Sequence, residues 1–211
     1  MLIIGAKGFA KEILEICHQN DQLENLHFYD DVSPESPNKL FGCFPIIKNI
    51  TDAEHYFNYI DNRFTIGIGN PKIRQILFEK FHSIGGKIVS TISSKAEIGS
   101  YAINIGEGAN ILAGAKISND VNIGKAPIIY YNSIITHDCT IGDFAEISPN
   151  AVLLGRTTIG NHVHIGASAT ILPDIKIGNN VTVGSGSVVT KDIPDNTIVA
   201  GVPAKVLRIK D

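Results

Sequence analysis

The chain has 211 residues, 44% of them apolar, with 18 Lys and Arg against 21 Asp and Glu for a formal charge of −3. The opposing charges are interspersed, which excludes an obvious nucleic-acid groove or charged membrane-surface patch, and no apolar run approaches the roughly 20 residues that span a bilayer. Cys17, Cys43 and Cys139 form no CxxC and no paired spacing, and Lys7, Lys11, Glu12 and Glu15 interrupt the first apolar stretch. These features point to a cytoplasmic protein with neither a disulfide framework nor a signal peptide.

Residues 1–88 read as a small α/β unit. Leu2-Ile3-Ile4 is a short buried strand, broken by Gly5-Ala6-Lys7-Gly8. A helix follows, with Phe9, Ile13, Leu14, Ile16 and Cys17 on its apolar side. Leu26–Tyr29 is a second strand, ending in Asp30-Asp31 and a polar loop through Ser33-Pro34-Glu35-Ser36-Pro37. Thr51 or Asp52 caps a helix to about Ile60. Phe64–Ile68 is a third strand, and Gly69-Asn70-Pro71 opens a helix to about His82. Alternating strands and helices predict a parallel sheet, Rossmann-like in order.

The rest of the chain repeats. Every sixth residue from Ile105 to Val189 is Ile, Leu or Val, and the residues two positions earlier are mostly small or β-branched, among them Ala109, Ala115, Cys139, Ala145 and Ala151. After a one-residue slip, Ile98 and Ile92 extend the pattern backwards. Glycine follows every third aliphatic, at Gly106, Gly124, Gly142, Gly160 and Gly178, often with Asp or Asn next (Asp143, Asn161, Asn179). Periods of six and eighteen predict coils of three short strands and three turns, stacked as a prism, with glycine at one corner supplying a turn conformation that other residues resist.

These residues resemble the left-handed parallel β-helix (hexapeptide-repeat) acyltransferases. The repeat covers residues 92–190, and the segments 186–194 and 201–205 are similar to their exit segment. The order of the halves resembles the sialic acid O-acetyltransferase and nucleotide-amino-sugar N-acetyltransferase family. The resemblance implies a nucleotide-sugar-binding α/β domain over 1–88, a left-handed β-helix acyltransferase domain over 89–195 and a C-terminal tail over 196–211. It further implies a homotrimer with sites between neighbouring helices, acetyl-CoA as co-substrate, no metal, no nucleic-acid or membrane partner, and a sugar or nucleotide-sugar acceptor in bacterial surface glycan biosynthesis.

Acetyl transfer needs a base of near-neutral pKa, a held acyl donor and donors for the oxyanion. His137 lies two positions past Ile135, at a coil corner, where it is either a solvated histidine or the base. The surrounding run, Thr136-His137-Asp138-Cys139-Thr140-Ile141-Gly142-Asp143, matches the family's place for a base followed by an acid, so the resemblance implies His137 as base and Asp138 as its orienting partner. Glu146 and Tyr130 depart from the family, which often has a second His that contacts the acetyl donor at the first position and Asn at the second. By the same resemblance, Gly155, Ala167 and Ser185 lie near the pantetheine chain; as residues alone they also satisfy turn geometry. Cys139 holds a small inward position and reads as a core thiol.

In the first half, Gly5-Ala6-Lys7-Gly8 sits between strand and helix, where backbone N–H groups can cradle phosphate. The fuller GxGxxG is absent because positions 7 and 10 are Lys and Ala. Asp30 and Asp31 end the second strand, and Gly69-Asn70 follow the third, so all these loops line one crevice, which the family uses for the nucleotide of the acceptor. Lys7 replaces a residue that is often small in relatives, and either reaches a phosphate or blocks the usual mode.

Four other readings compete. A zinc hydratase needs three converging ligands, but His162 and His164 lie near one corner and His137 at another. A surface-binding solenoid needs rows of Thr that are absent. A nucleotide-sugar-binding protein with impaired catalysis keeps the crevice loops without needing His137, and a sialic acid-type O-acetyltransferase acts on a free sugar.

Overall fold

The computed structural model describes residues 1–33, 35 and 37–210. Pro34 and Ser36 of the expected polar loop lie outside the described residues. The chain divides into two compact units between Thr91 and Ile92, slightly later than the break expected after residue 88.

The first unit runs β1 (Leu2–Ile4), α1 (Gly8–Gln19), β2 (His27–Tyr29), β3 (Lys39–Leu40), β4 (Phe44–Ile47), α2 (Ile50–Tyr59), β5 (Arg63–Ile66), α3 (Pro71–Ser83) and β6 (Lys87–Ile88). The sheet order is β3-β4-β2-β1-β5-β6, parallel throughout except for β3. Strand order reverses at β1, which lies between β2 and β5. This is the switch point at which open α/β sheets leave a crevice beyond the strand ends. Phe57, Phe64 and Phe81 pack edge and face beneath the helices, with ring centroids about 6 Å apart.

Two features differ from the sequence reading. Asn49, rather than Thr51 or Asp52, caps α2, its Oδ1 accepting the Asp52 N–H at 2.9 Å. The β3–β4 hairpin was not anticipated, because its strands are very short and Pro45 interrupts the second. Its turn is Leu40-Phe41-Gly42-Cys43, closed by the Cys43 N–H donating to the Leu40 carbonyl at 3.1 Å. Phe41 and Gly42 both have positive φ, 50° and 70°, the type I′ geometry that usually takes Asn-Gly. A bulky Phe there costs on the order of 1 kcal/mol.

The second unit is a parallel β-helix. A first face carries strands ending in Ile92, Ile111, Ile129, Ile147, Ile165 and Val183. A second carries those ending in Ile98, Ile117, Ile135, Leu153, Ile171 and Val189, and a third those ending in Ile105, Ile123, Ile141, Ile159 and Ile177. Like residues stack in register, as Ile123 on Ile141 on Ile159 on Ile177. From Ile111 onward these aliphatics are essentially buried, each contributing roughly 1.5–3 kcal/mol of hydrophobic stabilisation. Residues 196–211 were expected to be a tail. Instead Thr197–Gly201 adds a parallel strand to the first face and Ala204–Ile209 pairs antiparallel with it, so the end of the prism core is covered.

The glycine corner works differently from the expectation. Every sixth residue from Ala102 to Gly186 has positive φ, and most of these are not glycine. Gly106, Gly124, Gly142, Gly160 and Gly178 are not among them. They are required by close approach: a Cβ on Gly160 would lie 2.7 Å from the Gly178 carbonyl carbon and 2.8 Å from the Asn179 nitrogen. The next residue in each coil then closes a ladder. The Lys125 N–H donates to Asp143 Oδ1 at 2.7 Å, Asp143 to Asn161, Asn161 to Asn179 and Asn179 to Asp195, each at 2.8 Å. Gly160→Ala forces backbone apart and should cost about 1–3 kcal/mol, whereas Thr158→Ala, at an exposed strand position, should cost under about 1 kcal/mol. Urea denaturation of the two variants checks this.

Candidate active site

His137 and Asp138 form the corner between the second and third faces. Asp138 has a left-handed backbone (φ 60°), a conformation that Asp tolerates better than most residues, and this turn holds its carboxylate beside the preceding ring. His137 Nδ1 lies 2.5 Å from Asp138 Oδ2, and the two side chains are 56% and 44% exposed. A carboxylate can only accept, so the proton of a neutral ring sits on Nδ1 and Nε2 keeps its lone pair. The hydrogen bond from His137 is the chief reason that the Asp138 carboxyl is held below its ordinary value.

Gly155 stacks one coil beyond His137. A Cβ there would come within 2.5 Å of the imidazole Cε1 and 2.8 Å of Nε2, so the bare backbone makes room for the ring. Cys139 is buried, with Sγ 3.2 Å from Thr157 Oγ1, which keeps it in the core as expected.

The structure separates the remaining donor-side candidates from this corner within one chain. Ala167 and Ser185 occupy the corner between the first and second faces, where the Gly186 N–H donates to the Ala167 carbonyl at 2.8 Å. Glu146 lies on the first face, in register with Ile128 and His164. Its Oε1 is 3.6 Å from His164 Nε2, which in turn is 3.0 Å from Ser148 Oγ. This cluster escaped the sequence reading, which placed His164 beside His162. The latter instead stacks on Phe144, with centroids 5.5 Å apart and planes 11° from parallel. Among the described residues no group of three or more His, Cys, Asp or Glu side chains is arranged to hold a metal.

In the first unit a cavity of about 270 Å³ opens at the switch point, lined by Gly5, Ala6, Lys7, Asp30 and Asp31 among others. Gly5 needs its positive φ (111°) and close contact with Gly67. Asp30 is only 6% exposed. Its Oδ1 accepts the N–H groups of Val32 and Ser33 at 3.2 and 3.1 Å, while its buried Oδ2 has no hydrogen-bond partner among the described residues. Partial burial opposes ionisation of Asp31, but hydrogen bonds from the Tyr29 hydroxyl (2.8 Å) and Lys80 (3.1 Å) hold its carboxyl below the usual range. Gly8, Gly69 and Asn70 stand outside the cavity lining. Asn70 is a helix cap, its Oδ1 accepting the Lys72 and Ile73 N–H groups, and Ile68 lines the cavity in its place. No described helix is long and apolar enough to cross a membrane.

Comparison with known proteins agrees with both units. Residues 1–81 match the family model for the PglD N-terminal domain, and residues 156–191 match the bacterial transferase hexapeptide model (six repeats). No curated protein matches the chain. Among solved structures, the acetyltransferase domain of PglB from Neisseria gonorrhoeae is 31% identical, with 98% of each chain covered and a TM-score of 0.87. PerB from Caulobacter crescentus, crystallised with CoA and GDP-perosamine, is 28% identical over 98% of this chain and 96% of its own, with a TM-score of 0.90. WeeI from Acinetobacter baumannii is 29% identical over 98% of each chain, with a TM-score of 0.84. The chain is therefore a hexapeptide-repeat acyltransferase by class. Within that class it belongs to the nucleotide-amino-sugar acetyltransferase family, whose members pair a PglD-type N-terminal domain with a β-helix.

The Asp138 pairing is testable by pH. A carboxyl whose pKa is lowered by folding stabilises the fold above its unfolded value, and that contribution is lost as pH falls through the lower, folded one. In a carbon-detected NMR titration Asp138 should have its midpoint below 3.8, and in His137→Ala the midpoint should move back up.

Proposed function

We propose that this protein transfers the acetyl group of acetyl-CoA to the amino group of a nucleotide-linked sugar, with His137 as general base. The observation that carries the reading is the corner dyad: Nδ1 of His137 is engaged by Asp138 at 2.5 Å, which leaves Nε2 as the proton acceptor on a half-exposed ring. The likeness over nearly the whole chain to an enzyme crystallised with CoA and GDP-perosamine supports the substrate class, and the relatives favour nitrogen over oxygen as the acylated atom. The product fits assembly of bacterial surface glycans.

In this mechanism the sugar amine attacks the thioester carbonyl as Nε2 of His137 takes its proton. The carboxylate of Asp138 stabilises the imidazolium and fixes the ring. The tetrahedral intermediate collapses, the carbon–sulfur bond breaks, and the imidazolium returns the proton to the CoA thiolate. The products are the N-acetylated sugar and free CoA.

The donor lies along the outside of the β-helix, past Ala167 and Ser185, with Glu146 on the adjoining face. Those residues and the Gly155 corner face different ways in one chain. We assign the donor to a cleft between two copies of a homotrimer, one copy offering the Ala167–Ser185 corner and the other His137. The nucleotide of the acceptor is held by the Gly5–Gly8 loop, Lys7, Asp30 and Asp31. Asn70 and Gly69 shape the neighbouring helix entry.

Release of CoA thiol from acetyl-CoA, followed with a panel of UDP-, GDP- and dTDP-linked amino sugars, tests the activity. His137→Ala should lower kcat by about 10²–10⁴ with folding intact; unchanged turnover would remove His137 from the mechanism. In Gly155→Ala the nearest atoms to the new methyl group are those of the His137 ring, an exposed side chain that can turn aside, so its thermal midpoint should stay within a few degrees of the parent. Displacement of the ring should still cost kcat at least about tenfold.

A further inference from the structure

A second hollow, of about 470 Å³, adjoins the switch-point cavity and shares Ala6, Lys7, Asp30 and Ser33 with it. Its outer side is made by Lys11 and Phe41, with Leu40 beneath. Phe41 stands at the first central position of the β3–β4 turn. It is 62% exposed and held at positive φ, where a large aromatic side chain is disfavoured and gains little burial in return. The Lys11 ammonium lies 5.6 Å from its ring centroid, within cation–π reach. Strain of this kind concentrates at ligand clamps. Asp30 forms the wall common to the two hollows, its Oδ1 tying down the Val32 and Ser33 N–H groups and its Oδ2 out of reach of solvent.

Together these groups ask for a molecule with a flat aromatic face and an anionic part. The geometry points to Phe41 as the stacking platform for the nucleobase of the acceptor, with Lys11 steadying the ring. Lys7, at the entry of α1, faces the phosphates. The Glu35 carboxylate also lines the hollow and keeps the anionic part on the lysine side. This inference rests on the nucleotide-linked acceptor proposed above and adds the residues that read its nucleoside. Stacking tolerates any base, so Phe41 sets affinity for the nucleotide carrier as a class.

The chain contains no Trp, so Phe41→Trp places a single indole at the platform. Its fluorescence should be quenched saturably by UDP or GDP, and not by ribose 5-phosphate or pyrophosphate; absence of nucleotide quenching would overturn the assignment. In turnover, Phe41→Ala should raise KM for the nucleotide-linked amino sugar by about 5–100-fold. The kcat and the KM for acetyl-CoA should stay within about twofold, and Phe41→Tyr should restore the parent value. A KM within about twofold of the parent in a folded Phe41→Ala protein would also overturn it. Quenching by nucleotides without turnover of any nucleotide-linked sugar would uphold the platform while removing the acetyl-transfer reading, so the two ideas fail separately.

Discussion

Contact of backbone on backbone at the glycine corner sets the spacing of everything else in the β-helix. Coils must approach until parallel strands pair on all three faces, and at one corner that leaves no room for a Cβ. The Asp and Asn residues that follow turn this close approach into directional bonding, each side-chain oxygen accepting an N–H from the coil before it. Hydrophobic burial of the stacked aliphatics supplies most of the driving force, but it is indifferent to small slips between coils. The ladder is what makes one register better than its neighbours.

The dyad depends on that register. His137 has space because Gly155, one coil along, has no side chain, and Asp138 faces the ring because its corner requires a left-handed residue. Asp138 therefore serves the turn as well as the imidazole. The same rule puts Arg156 and Asp174 at the next two positions of the column, where they form an exposed ion pair at 2.6 and 2.9 Å of small energetic weight. Identical backbone at successive corners thus carries different chemistry, depending on what each stacked neighbour leaves open.

The β-helix was legible in the sequence because its signal is covalently regular: period six for the core, period eighteen for the glycines. What escaped was the reason for those glycines, since sequence spacing cannot separate a positive φ from a close approach. In the first unit the strand–helix alternation and the Asn70-Pro71 helix entry were readable. The β3–β4 hairpin was not, because strands of two and four residues carry almost no period and Phe41-Gly42 is an unusual turn pair. His164 was misplaced beside His162 because two residues along a corner turn the chain onto another face. The gathering of Lys11, Phe41 and Asp30 around one hollow is a tertiary fact with no local signature. Asn70 looked like a ligand for the opposite reason: a polar residue before a helix is ambiguous until its cap hydrogen bonds are seen.

Because each coil bonds chiefly to the one before and the one after, the prism can be lengthened or shortened by whole eighteen-residue units without rewriting any corner. Each such step moves the two ends apart by about 4.8 Å. Descendants of such a chain can therefore change the length of the β-helix in fixed increments, by duplication or loss of one unit, while the chemistry of each remaining corner stays unaltered.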